Sequence, residues 1–243
     1  LPINFLKSLN YEIKPNKIKS KNKFSNPNIL IAACGTGNHT AYASKYENAK
    51  IVGIDLSLKS LAYAKRKSKE LGFENIEFIH SDILQLKNLN KKFDVIESIG
   101  TLHHMKEPEE GLKILIDLLK PHGFLKLGLY SEKARDYVIK TKEIIKENSF
   151  STTIADIRKT REIIFNIKDD DIIKKLFERG DFYSTSNVRD LLFHVQEHRY
   201  TIPQISKILK KFNLEFLGFI NLSNKNKFLK YFHRDDITSL EAW

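Results

Sequence analysis

The sequence has few of the residues that stabilise small secreted domains or structural metal sites. Its 243 residues include one cysteine, Cys34, which excludes an internal disulfide framework and a cysteine-based zinc site. No apolar run approaches the roughly 18 residues of a membrane-spanning helix, and no signal-peptide pattern is present. Hydrophobic residues still make up 41% of the chain, so a sizeable core is available. Because neither a membrane span nor a signal peptide is recognisable, we expect a cytoplasmic protein with no membrane partner.

Acidic residues are outnumbered by basic residues, 30 to 41, which gives a formal net charge of +11. Such a balance can indicate nucleic-acid binding. Here the lysines are spread along the chain and are not interleaved with arginine and aromatic residues, as a base-stacking surface requires. We therefore interpret the charge as a lysine-rich composition rather than a nucleic-acid interface, and attraction to an acidic partner stays open.

One stretch organises the first half of the chain, Asn28 to Thr40 with the sequence NILIAACGTGNHT. It begins with an apolar run of the kind found in buried parallel strands. Gly35 and Gly37 then form a tight turn, and Asn38 is a candidate helix cap. This order brings backbone N–H groups and a helix N-terminus close to a ligand. Taken alone, it also suits an ordinary strand-to-helix connection.

Strands and helices alternate regularly after this stretch. A helix capped by Ser57 and ended by Gly72 separates the second and third strands. Such alternation predicts βαβ units, a parallel sheet and ligand binding beyond the carboxyl ends of the strands. The predicted strands are 29–32, 50–55, 75–79, 93–98 and 124–130, with helices at 40–46 and 108–119 and a turn at 121–123. The residues singled out at the carboxyl ends are Gly35, Gly37, Asp55, Asp82 and Ser98.

The chain divides into four predicted segments. A basic N-terminal segment and linker (1–27) precedes an α/β core (28–130), and a helical insertion (131–200) precedes a last helix and strand (201–243) that complete the core. A long insertion at the ligand end of a sheet is typical of a cap over the substrate, and a dimerisation or packing element has the same pattern. The helices predicted in the insertion are 131–148, 154–166, 171–178 and 188–198.

The last segment is predicted as a helix at 202–212 and a sixth strand at 214–220, and residues 225–243 suit either a strand or a helix. Because the chain starts at Leu1 rather than Met, we expect a domain cut from a longer protein.

Two ligand classes suit the glycine turn, a dinucleotide and S-adenosylmethionine. A dinucleotide requires Gly-x-Gly-x-x-Gly, whose third glycine allows close packing of helix against strand. The third position here is Thr40, which counts against NAD. By contrast, Ile29 to Gly37 resembles motif I of the class I S-adenosylmethionine-dependent methyltransferases, and similar motifs follow in order up to residue 130.

The resemblance implies a Rossmann-like sheet in the order 3-2-1-4-5, helices on both faces, a helical cap inserted after strand five, and S-adenosylmethionine as cofactor. Asp55, about 20 residues past the turn, is expected to hold the ribose hydroxyls. Asp82 is expected to accept from the adenine amine, with Ile83 packed on the ring. The full set of implied cofactor-binding residues is Ala33, Cys34, Gly35, Thr36, Gly37, Asp55, Leu56, Asp82, Ile83 and Ser98.

Two positions depart from the family pattern. Ile31 stands where the family usually has an acid that contacts the methionine portion of the cofactor, and Ala33 stands where it usually has glycine. Residues 83–130 and 189–199 also resemble bacterial methyltransferase domains often found after tetratricopeptide repeats. This second resemblance implies flanking repeats of that kind in a longer chain.

Candidate catalytic residues follow strands four and five. Methyl transfer from a sulfonium depends mainly on positioning, and a base is needed only if the acceptor loses a proton. His103 and His104 lie in the stretch that resembles motif IV, and Tyr130 closes strand five. A turn histidine and a tyrosine that covers the core are the structural alternatives.

Candidate substrate residues lie in the insertion, namely Tyr183, Arg189, His194 and His198. His194, Glu197 and His198 are spaced i, i+3 and i+4 on a predicted helix, so they are expected to share a face. That spacing also suits a metal pair, but a third ligand is not evident and we predict no metal site. A solvated face is the interpretation we favour.

These patterns predict a methyltransferase that acts on a small-molecule or protein acceptor. Two alternatives stay open. A non-catalytic binding or regulatory module that kept the fold is supported by Ile31 and Ala33, and an NAD(P)-dependent oxidoreductase is opposed by Thr40.

Overall fold

The structure is a computed structural model that describes residues 2–14, 16–18, 24–220 and 240. The chain forms two compact units, one within Leu1–Leu129 and Ile202–Trp243 and the other within Tyr130–Thr201. We refer to them as the α/β unit and the helical unit. Among the described residues, no helix has the length and apolar character needed to cross a membrane.

The α/β unit is built on a five-stranded parallel sheet with the order β3-β2-β1-β4-β5. This confirms the predicted sheet and its strand order. Because β1 lies between β2 and β4, the switch point of the sheet falls at the carboxyl end of β1. The strands are β1 (Asn28–Ala32), β2 (Lys50–Asp55), β3 (Ile76–His80), β4 (Phe93–Ile99) and β5 (Leu119–Gly128).

Helices cover both faces of this sheet because its strands are apolar on both sides. On one face Ile29 and Ile31 pack with side chains of the first three helices, and on the other Leu30 and Ile96 pack with the remaining two. The helices of the first face are α1 (Phe5–Glu12), α2 (Asn38–Ala43) and α3 (Leu58–Glu70), and those of the second are α4 (Pro108–Leu118) and α9 (Ile202–Lys211).

The ends of α3 follow the predicted capping signals, whereas the start of α2 does not. Ser57 caps α3 by accepting a hydrogen bond from the Ser60 N–H, and Gly72 ends it with a φ of 74°. The prediction that Asn38 caps α2 is wrong, because the helix begins at Asn38 and Gly37 is the cap residue. Gly37 has a φ of 96°, so the glycine itself turns the chain into the helix.

Strand β5 starts earlier and ends earlier than predicted. Phe93 pairs with Leu119 and Val95 pairs with Phe124, so the predicted turn at 121–123 is a bulge inside the strand. His122 in that bulge has a φ of 62°. The strand ends at Gly128, and Tyr130 therefore does not close it.

The prediction of a sixth strand at 214–220 is wrong, since no strand forms at these residues. The Leu217 carbonyl accepts a hydrogen bond from the Asn16 side-chain amide at 3.1 Å, and Gly218 has a φ of 137°. Both features remove the extended, ladder-forming backbone that a strand requires. In 225–243, where the sequence suits either a strand or a helix, Leu240 alone is within the described residues.

The helical unit packs its helices around a core of its own, which includes Val138, Ile157, Ile164 and Phe182. Its two ends meet, because the Tyr200 N–H donates to the Tyr130 carbonyl at 2.8 Å and the Glu132 N–H donates to the Tyr200 carbonyl at 3.2 Å. Its helices are α5 (Asp136–Glu147), α6 (Ile154–Asn166), α7 (Asp171–Lys174) and α8 (Thr185–Phe193).

Candidate active site

Asp55 connects the loops that follow the first three strands. Its side chain accepts hydrogen bonds from the backbone N–H of Gly35 and of Ser57, both at 2.8 Å. Its backbone carbonyl accepts from the Ser81 N–H at 3.2 Å. One residue thus holds the glycine turn after β1, the start of α3 after β2 and the loop after β3. Each carboxylate oxygen retains a lone pair for a ligand hydroxyl.

The glycine turn is held in left-handed backbone conformations at alternate residues. Ala33, Gly35 and Gly37 have φ angles of 63°, 52° and 96°. A Cβ on Gly35 would meet nothing within 4 Å, whereas a Cβ on Gly37 would lie 2.9 Å from the Ala64 Cβ in α3. Gly35 therefore leaves open space at the turn, while Gly37 is required by packing. Ala33 is strained at its φ of 63°, because its Cβ disfavours a left-handed conformation that glycine adopts freely.

The loop after β3 places Asp82 at the same edge of the sheet. One Asp82 oxygen accepts from the Leu84 N–H at 2.9 Å and so caps a short 3₁₀ helix, Ile83–Asn88. Ile83 lies in the core. Leu56 is the apolar residue exposed next to Asp55, with 66% of its surface accessible. Such an exposed apolar side chain can cover one face of a bound ring.

The carboxyl end of β4 adds a buried carboxylate that the sequence analysis did not select. Glu97 is 4% exposed, and its Oε2 lies 3.4 Å from Nδ1 of His39 in α2. Ser98 beside it is fully buried, and its hydroxyl has no hydrogen-bond partner among the described residues. A charged residue inside an apolar strand was the available signal, because Glu97 interrupts the run around Ile96.

His103 and His104 form a 3₁₀ turn with Leu102 after β4. His103 is fully buried, and its ring centroid is 4.3 Å from that of His104. Burial restricts His103 to contacts inside the α/β unit, which is the setting of a structural histidine. His104 is the more accessible member of the pair. A catalytic role for either histidine stays a prediction.

Tyr130 belongs to the helical unit. The Arg135 guanidinium lies 3.8 Å from the centroid of the Tyr130 ring. Burial raises the pKa of the Tyr130 phenol above its usual value, although the positive charge of Arg135 opposes the shift. A phenol with a raised pKa is a poor general base near neutral pH. Its catalytic role stays a prediction that this environment does not favour.

The substrate candidates of the helical unit do not share a helix face. Helix α8 ends at Phe193, and His194 has an extended backbone with a ψ of 128°. The predicted face of His194, Glu197 and His198 is therefore wrong. Glu197 accepts hydrogen bonds from Arg135 instead, at 3.0 and 2.6 Å. This buried pair fixes the segment in a non-helical path.

Tyr183 and Arg189 are exposed residues of the helical unit. The Tyr183 hydroxyl donates to the Phe177 carbonyl at 2.9 Å, which orients the ring against neighbouring phenylalanines. Within the described residues, no group of three histidine, cysteine or acidic side chains is placed to hold a metal ion. The roles of Tyr183 and Arg189 in substrate recognition stay predictions.

Comparison with protein families gives one match that spans most of the chain. A family model described as a methyltransferase domain matches residues 23–181. The chain belongs to this methyltransferase-domain family. Membership confirms the predicted family, the class I S-adenosylmethionine-dependent methyltransferases.

Individual relatives cover different parts of this chain. An uncharacterised protein of Synechococcus is 29% identical over 206 residues, which are 79% of this chain and 48% of that protein. Demethylmenaquinone methyltransferase of Staphylococcus saprophyticus is 26% identical over 181 residues, which are 71% of this chain and 76% of that enzyme. The chain thus spans about half the length of the Synechococcus relative.

Solved structures show the same fold. PKMT2 from Rickettsia typhi has a TM-score of 0.69 at 21% identity, over 98% of this chain and 48% of its own. Its complex with AdoHcy has a TM-score of 0.66 at 20% identity, over 90% of this chain and 46% of its own. At this level of identity the likeness establishes the class I methyltransferase fold.

The thiol of Cys34 is expected to be unreactive while the protein is folded. Burial and, to a smaller extent, the negative charge of Asp55 together raise the pKa of Cys34 to about 12. Relative to an ordinary thiol, this lowers the thiolate fraction at pH 8 by about a thousandfold. We expect Ellman's reagent to label Cys34 at least about 100-fold more slowly in the native protein than in denaturant. Equal rates would contradict the burial of this thiol.

Proposed function

We propose that this chain transfers the methyl group of S-adenosylmethionine to a small-molecule or protein acceptor. The observation that carries the proposal is the set of hydrogen bonds by which Asp55 joins the loops after β1, β2 and β3 at the switch point of the sheet. Ligands of open parallel sheets bind at that point. Membership of the methyltransferase-domain family supports the same reaction.

The residues at this edge fit the cofactor by their chemistry. Asp55 retains lone pairs for the two ribose hydroxyls, and the Asp82 oxygen that does not cap the 3₁₀ helix is available to the adenine amine. Leu56 offers an exposed apolar surface to the rings. When bound, the cofactor supplies an electrophilic methyl group on a sulfonium. The chain contributes binding, orientation and exclusion of water.

A nicotinamide cofactor is the alternative that Thr40 opposes. The Thr40 hydroxyl donates to the Gly37 carbonyl at 2.8 Å and is fully buried. A Cβ on Gly53 in β2 would lie 2.8 Å from the Thr40 Cγ2, so Thr40 occupies the contact between helix and strand. A dinucleotide site keeps this contact close with a third glycine. The non-catalytic alternative rests on Ile31 and Ala33.

The second part of the proposal concerns the acceptor, which we propose is recognised by the helical unit. We assign acceptor recognition to exposed residues of the insertion, Tyr183 and Arg189, since polar groups on inserted segments set specificity. The name of the Staphylococcus saprophyticus relative describes a small-molecule acceptor. A flanking tetratricopeptide-repeat segment in a longer chain is part of this proposal.

The proposal is tested by calorimetric titration of S-adenosylhomocysteine into the wild-type chain and into Asp55→Ala. We expect binding to the wild type and an affinity about 100-fold lower in the variant, because two hydrogen bonds to a charged acceptor are lost. Asp117→Ala, which removes an exposed carboxylate from α4, is the matched control and should bind as the wild type does.

Two measurements complete this test. Thermal denaturation of Asp55→Ala separates lost ligand contacts from a loosened turn, since Asp55 also holds Gly35. NADH is titrated in parallel. Binding of NADH without S-adenosylhomocysteine would support an oxidoreductase, and failure of the wild type to bind either ligand would contradict the proposal. Cofactor binding without turnover on any acceptor would favour a non-catalytic module.

A further inference from the structure

Glu97 is a carboxylate in a place where an ionised group is costly. It lies near the carboxyl end of β4, between β1 and β5, with 4% of its surface exposed. A buried charge needs a cationic or hydrogen-bonding partner, because burial removes the hydration of the ionised form. In the part of the chain that the structure describes, its one ion-pair contact is His39 at 3.4 Å, and that imidazole is 47% exposed. Glu97 is therefore placed to accept from a further cation.

The strand register brings this carboxylate to the glycine turn. Glu97 in β4 is the parallel partner of Ile31 in β1. Residues paired in this way point to the same face of the sheet, and Val95, two positions earlier in β4, packs in the same cluster as Ile31. Ile31 comes two residues before the left-handed Ala33 that opens the turn.

Position 31 is where class I methyltransferases usually carry an acid directed at the methionine portion of the cofactor. This chain has isoleucine there and a buried acid in the adjoining strand, about 4.8 Å to the side. The carboxylate is thus displaced by one strand on the same face of the sheet. That arrangement keeps a negative charge beside the turn while the β1 position joins the apolar core.

We infer that Glu97 binds the α-ammonium group of the methionine portion of S-adenosylmethionine, in place of the acid absent from position 31. The inference rests on the proposed cofactor. An ammonium group supplies both the charge and the hydrogen-bond donors that a buried carboxylate requires. With Glu97 in this role, isoleucine at position 31 no longer argues against cofactor binding, because β4 supplies the acid that β1 lacks.

The test compares two ligands that differ in the amino-acid portion. S-adenosylhomocysteine carries the α-ammonium group, whereas 5′-methylthioadenosine has the adenine, the ribose and the sulfur without it. Glu97→Gln keeps the shape of the side chain and removes its charge. We expect this variant to bind S-adenosylhomocysteine about tenfold more weakly or worse, and 5′-methylthioadenosine within about twofold of the wild type. Asp55→Ala should weaken both ligands.

The outcomes separate this inference from the proposed function. Unchanged binding of both ligands to Glu97→Gln, or an equal loss of both, would overturn the role of Glu97 and leave the cofactor proposal intact. A wild type that binds neither ligand would overturn the cofactor proposal and this inference with it. Thermal denaturation reports whether Glu97→Gln folds. If it does not, Glu97→Asp, which draws the charge back by one methylene, should show the same selective loss.

Discussion

Replacing Glu197 with alanine should destabilise the helical unit by about 3–5 kcal/mol, which is the usual cost of leaving one member of a buried ion pair without its partner. Glu197 accepts from Arg135 Nε at 3.0 Å and from Arg135 Nη2 at 2.6 Å. The two side chains are 2% and 10% exposed. The alanine variant therefore leaves a guanidinium buried without its counter-charge.

The surroundings of Arg135 offer little compensation. Its guanidinium already lies over the Tyr130 ring, and a second cation, Lys142, also interacts with the charge of Glu197. Burial lowers the pKa of Lys142, while Glu197 opposes that shift. The positive charge of Arg135 already lowers the pKa of Lys142. The variant therefore loses an attraction and leaves this repulsion without compensation.

Urea denaturation combined with amide hydrogen exchange over residues 130–201 measures this effect. The matched control is Asp171→Ala, which removes one member of the exposed pair between Lys174 and Asp171 in the same unit. Exposed pairs contribute little, and protection in this control should stay near that of the wild type. Similar losses of protection in both variants would show that burial of the Glu197 pair is not what stabilises the unit.

Gly37→Ala should destabilise the α/β unit by about 2–5 kcal/mol and abolish cofactor binding. A residue with a side chain is strained at a φ of 96°. The added Cβ would also lie 2.9 Å from the Ala64 Cβ and 3.3 Å from the Ala64 Cα. Because Ala64 is buried on α3, relief of this clash moves the helix or the turn, and either movement displaces the N–H groups that face the ligand.

A variant at a second glycine, Gly72, separates backbone strain from the clash with Ala64. Gly72 has a comparable φ of 74°, but a Cβ there would meet nothing within 4 Å. Gly72→Ala should therefore cost only the backbone strain, about 1–2 kcal/mol, and leave titration with S-adenosylhomocysteine unchanged. Thermal melts and titrations of both variants provide the comparison. Equal destabilisation would mean that contact with α3 contributes nothing to the requirement for Gly37.

The features predicted correctly from the sequence depend on short stretches of chain. Apolar runs separated by helices identify the five parallel strands, and the resemblance adds their order. Asp55 ends the second run, which predicts a position at the ligand edge, and the structure places its carboxylate against the Gly35 N–H. Ser57 and Gly72 mark the ends of α3 by local capping rules that act within a few residues.

The features that were missed depend on contacts between distant residues. Glu97 gains its significance from its register with Ile31, 66 residues earlier, and strand register is not encoded in either strand alone. The helix predicted through His198 stops at Phe193 because Glu197 pairs with Arg135, 62 residues away. Propensity favours a continued helix there, and a tertiary ion pair outweighs it.

The prediction of a sixth strand at 214–220, which the structure lacks, is wrong for a related reason. Its apolar residues have the right composition, yet a side-chain amide from Asn16 takes the Leu217 carbonyl. In β5 the Pro121-His122-Gly123 stretch has the composition of a turn, but it forms a bulge within the strand. In both places the group that hydrogen-bonds to the backbone decides whether a strand forms, and composition does not specify that group.

The backbone hydrogen bonds that join Tyr130 and Glu132 to Tyr200 affect how proteins with this insertion can diversify. Because the first and last residues of the insertion are hydrogen-bonded to each other, its length and sequence can change without altering the distance that the flanking chain has to span. Loss, enlargement or replacement of the insertion then becomes an evolutionary step that leaves β5 and α9 untouched. Under the proposed assignment of acceptor recognition to the insertion, a lineage that retains one cofactor site can in this way acquire new acceptors by exchanging a single module.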